Sequence, residues 1–260
     1  MGNVDISSPS NEQVKRLVRL RRRRHRDEEG IFVVEEERIL RRALDAGHRP
    51  TEVYLCPDLR DPIEGLTHRT MSREAIDKAS YRGTSTGLIA LFPYFDRSLE
   101  ALEWNGQSLF LVAEGVEKPG NLGAMLRVAD AAGVAGLILV DTATDVFNPN
   151  AVRASTGAIF TVPVARAGLD ETVELLRDRR IMSVAAHPGA GPDYWDLDMT
   201  GPVAIWVGAE ADGLSTEARS QADALVSIPM RGAADSLNTS IAASLVLYES
   251  VRQRSQAKLS

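Results

Sequence analysis

Ser236, Asn238, Thr239 and Ser240 crowd the start of what reads as the last helix of this 260-residue chain, within IPMRGAADSLNTSIAASLVLYE. One small polar side chain is enough to cap a helix. The surplus can therefore meet a ligand, and the free N–H groups of a helix start favour anionic or strongly polar partners. Just upstream, Pro229 must end the preceding strand because it cannot donate to a sheet ladder, and Gly232 would let backbone approach a ligand closely. Two other loops carry comparable residues. EGVEKPGNLGAMLR (114–127) holds Asn121, Gly123 and Arg127, and VGAEADGLS (207–215) holds Gly208, Glu210 and Gly213. A carboxylate such as Glu210 can hold the guanidinium of Arg127 by a bidentate pair. Blander roles exist for each residue: Asn121 as an N-cap, Gly123 as a close-packing residue, Glu210 as an acid beside a helix N-terminus.

The elements that must position these residues alternate regularly. From residue 107, apolar strand-like runs (108–116, 136–141, 159–165, 181–187, 202–208, 224–230) are separated by helical runs (121–133, 151–158, 170–180, 215–222, and 236 to about 255). Continuous apolar strands between helices indicate a parallel sheet covered on both faces, and such sheets bind ligands at the carboxyl ends of their strands. All three polar loops fall at such ends. Residues 1–95 read as a smaller α/β module: a basic helix over 11–26, strands at 31–35, 51–57 and 87–95, and helices at 36–47 and 72–80. The stretch 96–106 reads as a linker. The fold class is α/β, with domains at 1–100 and 101–260.

Composition narrows the chemistry. One cysteine, Cys56, and four scattered histidines exclude a disulfide framework and argue against a metal site. None of the histidines falls near the three loops, which disfavours a histidine base. No apolar run is long enough for a membrane span, and the first thirty residues lack a signal-peptide core. A cytoplasmic location is the expectation. The net charge of -6 is uneven, since eight basic side chains lie between residues 15 and 26. Lys15, Arg21, Arg22, Arg23, Arg24 and Arg26 are candidates to grip phosphate backbones, with a solvated helix face as the alternative. Arg153 is a further candidate phosphate contact. A nicotinamide-dependent oxidoreductase on a doubly wound sheet would need G-x-G-x-x-G after the first strand, and the turn here reads G-x-x-x-x-G-x-x-G.

Taken together, the three loops resemble the motifs of the SPOUT superfamily of RNA methyltransferases, in its SpoU/TrmH ribose-2'-O branch. The first motif is matched by Asn121, Gly123 and Arg127. Gly208, Glu210, Gly213 and Leu214 match the second. The third is matched by Ile228, Pro229, Met230, Gly232, Ser236, Leu237, Asn238, Ser240, Tyr248 and Glu249. Val128, Ala209 and Thr239 depart from the usual pattern without touching a residue expected to react. The N-terminal part is similar to the small ribosomal-protein-like RNA-binding domain of two-domain relatives, the thiostrepton- and avilamycin-resistance type among them.

The resemblance implies a C-terminal sheet threaded by a deep trefoil knot, an exception to the un-knotted rule. It implies S-adenosylmethionine held by Gly208, Ile228, Met230, Gly232 and Leu237, and methyl transfer to a ribose 2'-hydroxyl of structured RNA, ribosomal rather than transfer RNA. Arg127, Asn121, Glu210, Ser236 and Asn238 would be the catalytic set, with Glu210 orienting Arg127. Arg127 would serve either as a base or, since arginine normally keeps its proton, as an electrostatic stabiliser. Homodimers are implied, with Ile241, Leu245 and Val246 of the last helix either at the interface or in the core. A relative that binds RNA without catalysis is the competing reading.

Overall fold

The computed structural model describes residues 4–257 and divides them into two compact units. The first comprises residues 1–95 together with 145–160, and the second residues 96–144 and 161–260. A single boundary near residue 100 does not anticipate the return of 145–160.

In the first unit, β1 (Ile31–Val34), β4 (Leu88–Pro93), β2 (Glu52–Leu55) and the two-residue β3 (Arg69–Thr70) form one sheet in the order β1-β4-β2-β3. β4 runs antiparallel to both of its neighbours. The arginine-rich segment is two helices rather than one, α1 (Glu12–Arg19) and α2 (Arg23–Glu29), and Gly30 ends the second in a left-handed conformation. α3 (Glu37–Asp45) and α4 (Arg73–Ala79) complete the module. The returning segment carries α6 (Pro149–Ala154) and contributes Phe147 and Phe160 to an aromatic core. Phe147 stacks on Phe32 with centroids 4.7 Å apart, and Phe160 lies 4.8 Å from Phe92.

The second unit holds a six-stranded, wholly parallel sheet in the order β10-β8-β9-β5-β6-β7. Its strands are β5 (Leu109–Glu114), β6 (Gly136–Val140), β7 (Val164–Ala167), β8 (Met182–Ala186), β9 (Val203–Val207) and β10 (Ala224–Val226). The continuous apolar runs earn this arrangement: every residue of β5, β6 and β9 is buried, as strands covered on both faces require. The run at 159–165 is not one strand. It begins as a 3-10 turn at Ala158–Phe160, and β7 starts only at Val164. The stretch 96–106 is no linker either, because Leu99 and Leu102 are buried in the core of this unit.

α5 (Pro119–Ala132), α7 (Leu169–Asp178) and α8 (Thr216–Gln221) connect the strands, and α9 (Thr239–Ala257) packs against α5 and β9. α9 is pinned at both ends of the sheet. The Thr239 hydroxyl donates to the Gly208 carbonyl at 2.8 Å, and Arg254, near the other end of the helix, donates to the Gln107 carbonyl at 2.7 Å.

Candidate active site

The carboxyl ends of β8, β9 and β10 and the start of α9 enclose a cavity of about 220 Å³. Its apolar wall is built from Val207, Ile228, Met230, Leu237 and Ala242, and its polar wall includes Glu210, Asp212, Asp235, Ser236 and His187. The floor depends on Gly208. A Cβ there would lie 2.0 Å from the Gly213 carbonyl carbon and 2.1 Å from the Leu214 nitrogen, because the loop folds back on itself. Paired backbone hydrogen bonds between Ala209 and Gly213, both 3.0 Å, close that fold. The Gly213 backbone lies in the left-handed region with φ 67°, where a glycine carries no Cβ penalty.

The crowd of polar residues at the last helix has separate tasks. Asn238 is the cap: its Oδ1 accepts from the Ser240 N–H at 3.0 Å and from the Ser240 hydroxyl at 2.6 Å. Thr239 ties the helix to Gly208, so a departure from the usual pattern turns out to join the second loop to the third. The helix begins at Thr239, three residues after its expected start at 236, so Ser236 and Leu237 precede it and line the cavity. The Asn238 amide also donates to Asn121 Oδ1 at 3.2 Å, so the first loop meets the third. Asn121 is not an N-cap, for α5 begins at Pro119. Its own Nδ2 is buried with no partner among the described residues.

Several expected relations are absent. Glu210 does not orient Arg127; it forms an ion pair with Lys118, which the sequence reading passed over. Arg127 is exposed on α5, outside the cavity lining. Gly232 is exposed with open space where its Cβ would be, so the protein itself does not require glycine there. His187 does stand at the cavity, contrary to the expectation that no histidine lies near the loops. Its Nε2 lies 3.0 Å from Arg219 Nη1. Strand order is what brings His187 in, since β8 lies beside β9, and no spacing in the sequence reveals that. On α9, Val246 is fully buried while Ile241 and Leu245 are exposed together with Tyr248.

The basic segment is largely spent within its own unit. Arg26 is 1 % exposed and pairs with Asp145 at 2.5 Å, so no phosphate can reach it. Arg21 donates to the carbonyls of Lys78 and Ser80. Arg23, Arg24 and Lys15 make surface ion pairs with Asp27, Glu28 and Glu12. These exposed pairs hold their cations only weakly, and Arg22, Arg24 and Lys15 lie at the surface.

Such a cavity, at the carboxyl ends of a parallel sheet and floored by a tight glycine loop, stands where open α/β sheets bind their ligands. Residues 108–248 match the SpoU rRNA Methylase family, and the chain belongs to it. Residues 11–90 match the MRM3-like substrate binding domain. The chain is 36% identical to a 23S rRNA (guanosine-2'-O-)-methyltransferase, RlmB, of Vibrio parahaemolyticus, over 78% of this chain and 85% of that one. Among solved structures it is similar to the SpoU methyltransferase AviRb of Streptomyces viridochromogenes in complex with AdoMet. That match has a TM-score of 0.86 and 29% identity, over 94% of this chain and 98% of that one. It is similar also to an AdoMet-bound rRNA methyltransferase of Sinorhizobium meliloti, with a TM-score of 0.85 and 31% identity over 95% and 97% of the two chains.

Proposed function

We propose that the protein transfers a methyl group from S-adenosylmethionine to a ribose 2'-hydroxyl of large-subunit ribosomal RNA. The observation that carries this reading is the cavity itself, where the second and third motif loops converge and the Asn121–Asn238 bond ties in the first. The lining suits that cofactor. Val207, Ile228 and Leu237 offer an apolar wall for a flat base, and Glu210, Asp212 and Asp235 bring three carboxylates against one paired lysine, which favours a cationic ligand. Bound there, the cofactor supplies an activated methyl on a sulfonium.

The protein's remaining work is alignment and removal of one proton from the hydroxyl. Alignment alone can supply about 7–11 kcal/mol of a barrier. Ser236 and the Asn121–Asn238 pair stand where they can position the ribose. Arg127 is the residue proposed to meet the phosphate beside that ribose and stabilise charge developing on the 2'-oxygen. It is exposed on α5, away from its own chain's cavity, and α9 beside it presents Ile241, Leu245 and Tyr248 to solvent. We therefore propose a homodimer that buries this stripe and brings Arg127 to the partner's site. Gly232 lies on the third loop and is proposed to face the cofactor.

A C-terminal segment threaded as a deep trefoil knot belongs to the same proposal, on the strength of the family motifs in 228–249. The division at residue 100 is proposed with one amendment: residues 1–100, joined by the returning 145–160, are the RNA-binding part, reading RNA through phosphate and shape with Arg22, Arg23, Arg24 and Lys15, and the rest of 101–260 is the catalytic part. A cytoplasmic location belongs to the same proposal. Calorimetry separates this reading from the alternatives: binding of S-adenosylmethionine but not of NAD is expected. Binding of NAD instead would favour the oxidoreductase, and binding of neither the non-catalytic RNA-binding reading.

A further inference from the structure

The first unit contains a cavity of its own, of about 140 Å³, lined by the exit of β1, the loop at 80–86 and the returning helix α6. Its size matches a single flat ring, since a cavity of about 150 Å³ takes benzene. The residues around it are organised. Asn150 Nδ2 donates to the Tyr81 hydroxyl at 3.1 Å, which orients the ring and leaves the amide oxygen unspent. The Glu35 carboxylate accepts from the Tyr81 N–H at 2.6 Å and from the Ser80 hydroxyl at 3.2 Å. Those bonds use two of its roughly four acceptor positions. Arg21 grips the carbonyls of Lys78 and Ser80, which holds the loop in place. Arg82 and Arg153 both belong to the lining; the Arg82 guanidinium acts electrostatically on Glu35, and neither guanidinium has a hydrogen-bond or salt-bridge partner among the described residues.

A tyrosine ring, an amide oxygen, a carboxylate with acceptor capacity and two guanidinium groups match one kind of ligand. Unstacked bases of RNA are taken by aromatic rings and arginine planes and read along their hydrogen-bonding edges. Carboxylates accept from exocyclic amino groups, and arginine pairs with phosphate. We propose that this cavity is a second RNA subsite, which takes one unpaired, amino-bearing nucleobase of the substrate RNA, with its phosphate on Arg82 and Arg153. Guanine, adenine and cytosine qualify, and uracil does not. The subsite rests on the RNA methyltransferase reading for its ligand. It needs α6, which lies outside residues 11–90, the part that matches the substrate binding domain.

The test uses the full-length protein and fluorescein-labelled hexaribonucleotides of each base, with the four mononucleotides as competitors. Wild type is expected to bind the guanine, adenine or cytosine hexamer roughly fivefold or more tighter than the uracil hexamer. Arg82→Ala with Arg153→Ala should weaken hexamer binding about tenfold or more and leave S-adenosylmethionine affinity unchanged. Glu35→Gln should remove the preference against uracil. Unchanged hexamer affinity in the folded double variant overturns the proposal, as do mononucleotides that bind as tightly as hexamers. If the double variant loses its circular dichroism, the single Arg82→Gln at an exposed position decides by the same criterion. Hexamer binding without any methyl transfer to ribosomal RNA would overturn the enzymatic reading and leave the subsite standing.

Discussion

Adding one methyl group at Gly208 should cost the protein its cofactor before it costs the fold. The new Cβ would lie 2.0 Å from the Gly213 carbonyl carbon, 2.1 Å from the Leu214 nitrogen and 2.2 Å from the Gly213 oxygen, all backbone atoms that cannot swing aside. Ordinary contact begins at 3.4 Å, so the two arms of the loop must separate by 3.4 − 2.0 = 1.4 Å. Both backbone hydrogen bonds between Ala209 and Gly213 would then exceed bonding distance. Two such bonds are worth about 1–3 kcal/mol together, and an overpacked site costs about 1–3 kcal/mol when it cannot relax. This loop can relax into solvent, so a total near 3 kcal/mol is expected, or a fall in Tm of roughly 6–12 °C. The opened loop also forms one side of the cavity. Calorimetry should therefore show S-adenosylmethionine affinity reduced tenfold or more in Gly208→Ala, with near-native circular dichroism at 20 °C or so. An unchanged Kd with an unchanged Tm would refute the geometry of the loop and the cofactor placement built on it.

Arg127→Ala should abolish methyl transfer while S-adenosylmethionine affinity stays within a few fold, and equal loss of both would place Arg127 at the cofactor instead. Arg26→Ala leaves the buried Asp145 carboxylate without its partner, so a loss of about 3–5 kcal/mol in denaturant unfolding is expected. Arg22→Ala with Arg24→Ala changes two exposed positions, should leave stability within about 0.5 kcal/mol for each, and should flatten the salt dependence of RNA binding. In Glu52, burial works against ionisation, but the Tyr54 hydroxyl and Arg16 outweigh it and hold the carboxyl below its ordinary 4.5. The unfolded chain then binds more protons in acid, so this stabilisation is complete above pH 4.5 and is lost as pH falls through the folded value. Tm measured between pH 7 and pH 3 should drop less steeply in Glu52→Gln than in wild type. Ile241→Asp should convert a dimer to a monomer in analytical ultracentrifugation and abolish activity with it.

The parts of this fold written in local pattern were legible. Strands β5, β6 and β9 announce themselves as continuous apolar runs, and the helix expected over 121–133 ends where it should, capped by Gly133. The arginine run misled because eight cations in twelve positions look alike in a sequence, whereas Arg26 is buried against Asp145, a partner 119 residues away. The same long-range pairing hid the return of 145–160 to the first unit, where Phe147 and Phe160 fill a core that residues 1–95 leave open. At the candidate site, the lining role of Gly208, Ile228, Met230, Ser236 and Leu237 was readable from the motif loops. His187 and the Lys118–Glu210 pair were not, because they depend on which strand lies beside which, and Asp235, beside Ser236 in the third loop, was passed over because the motif residues around it drew the reading. Thr239 carried a signal that could have been used: a hydroxyl where an apolar residue is common, one position past a cap, invites the question of which carbonyl it reaches.

The most direct measurement is nucleoside analysis of large-subunit ribosomal RNA incubated with the protein and methyl-labelled S-adenosylmethionine, with transfer RNA in parallel. Label recovered on a ribose 2'-oxygen of a single ribosomal nucleotide is the expected result. Label on a nucleobase, label confined to transfer RNA, or none at all with correctly folded protein would contradict it.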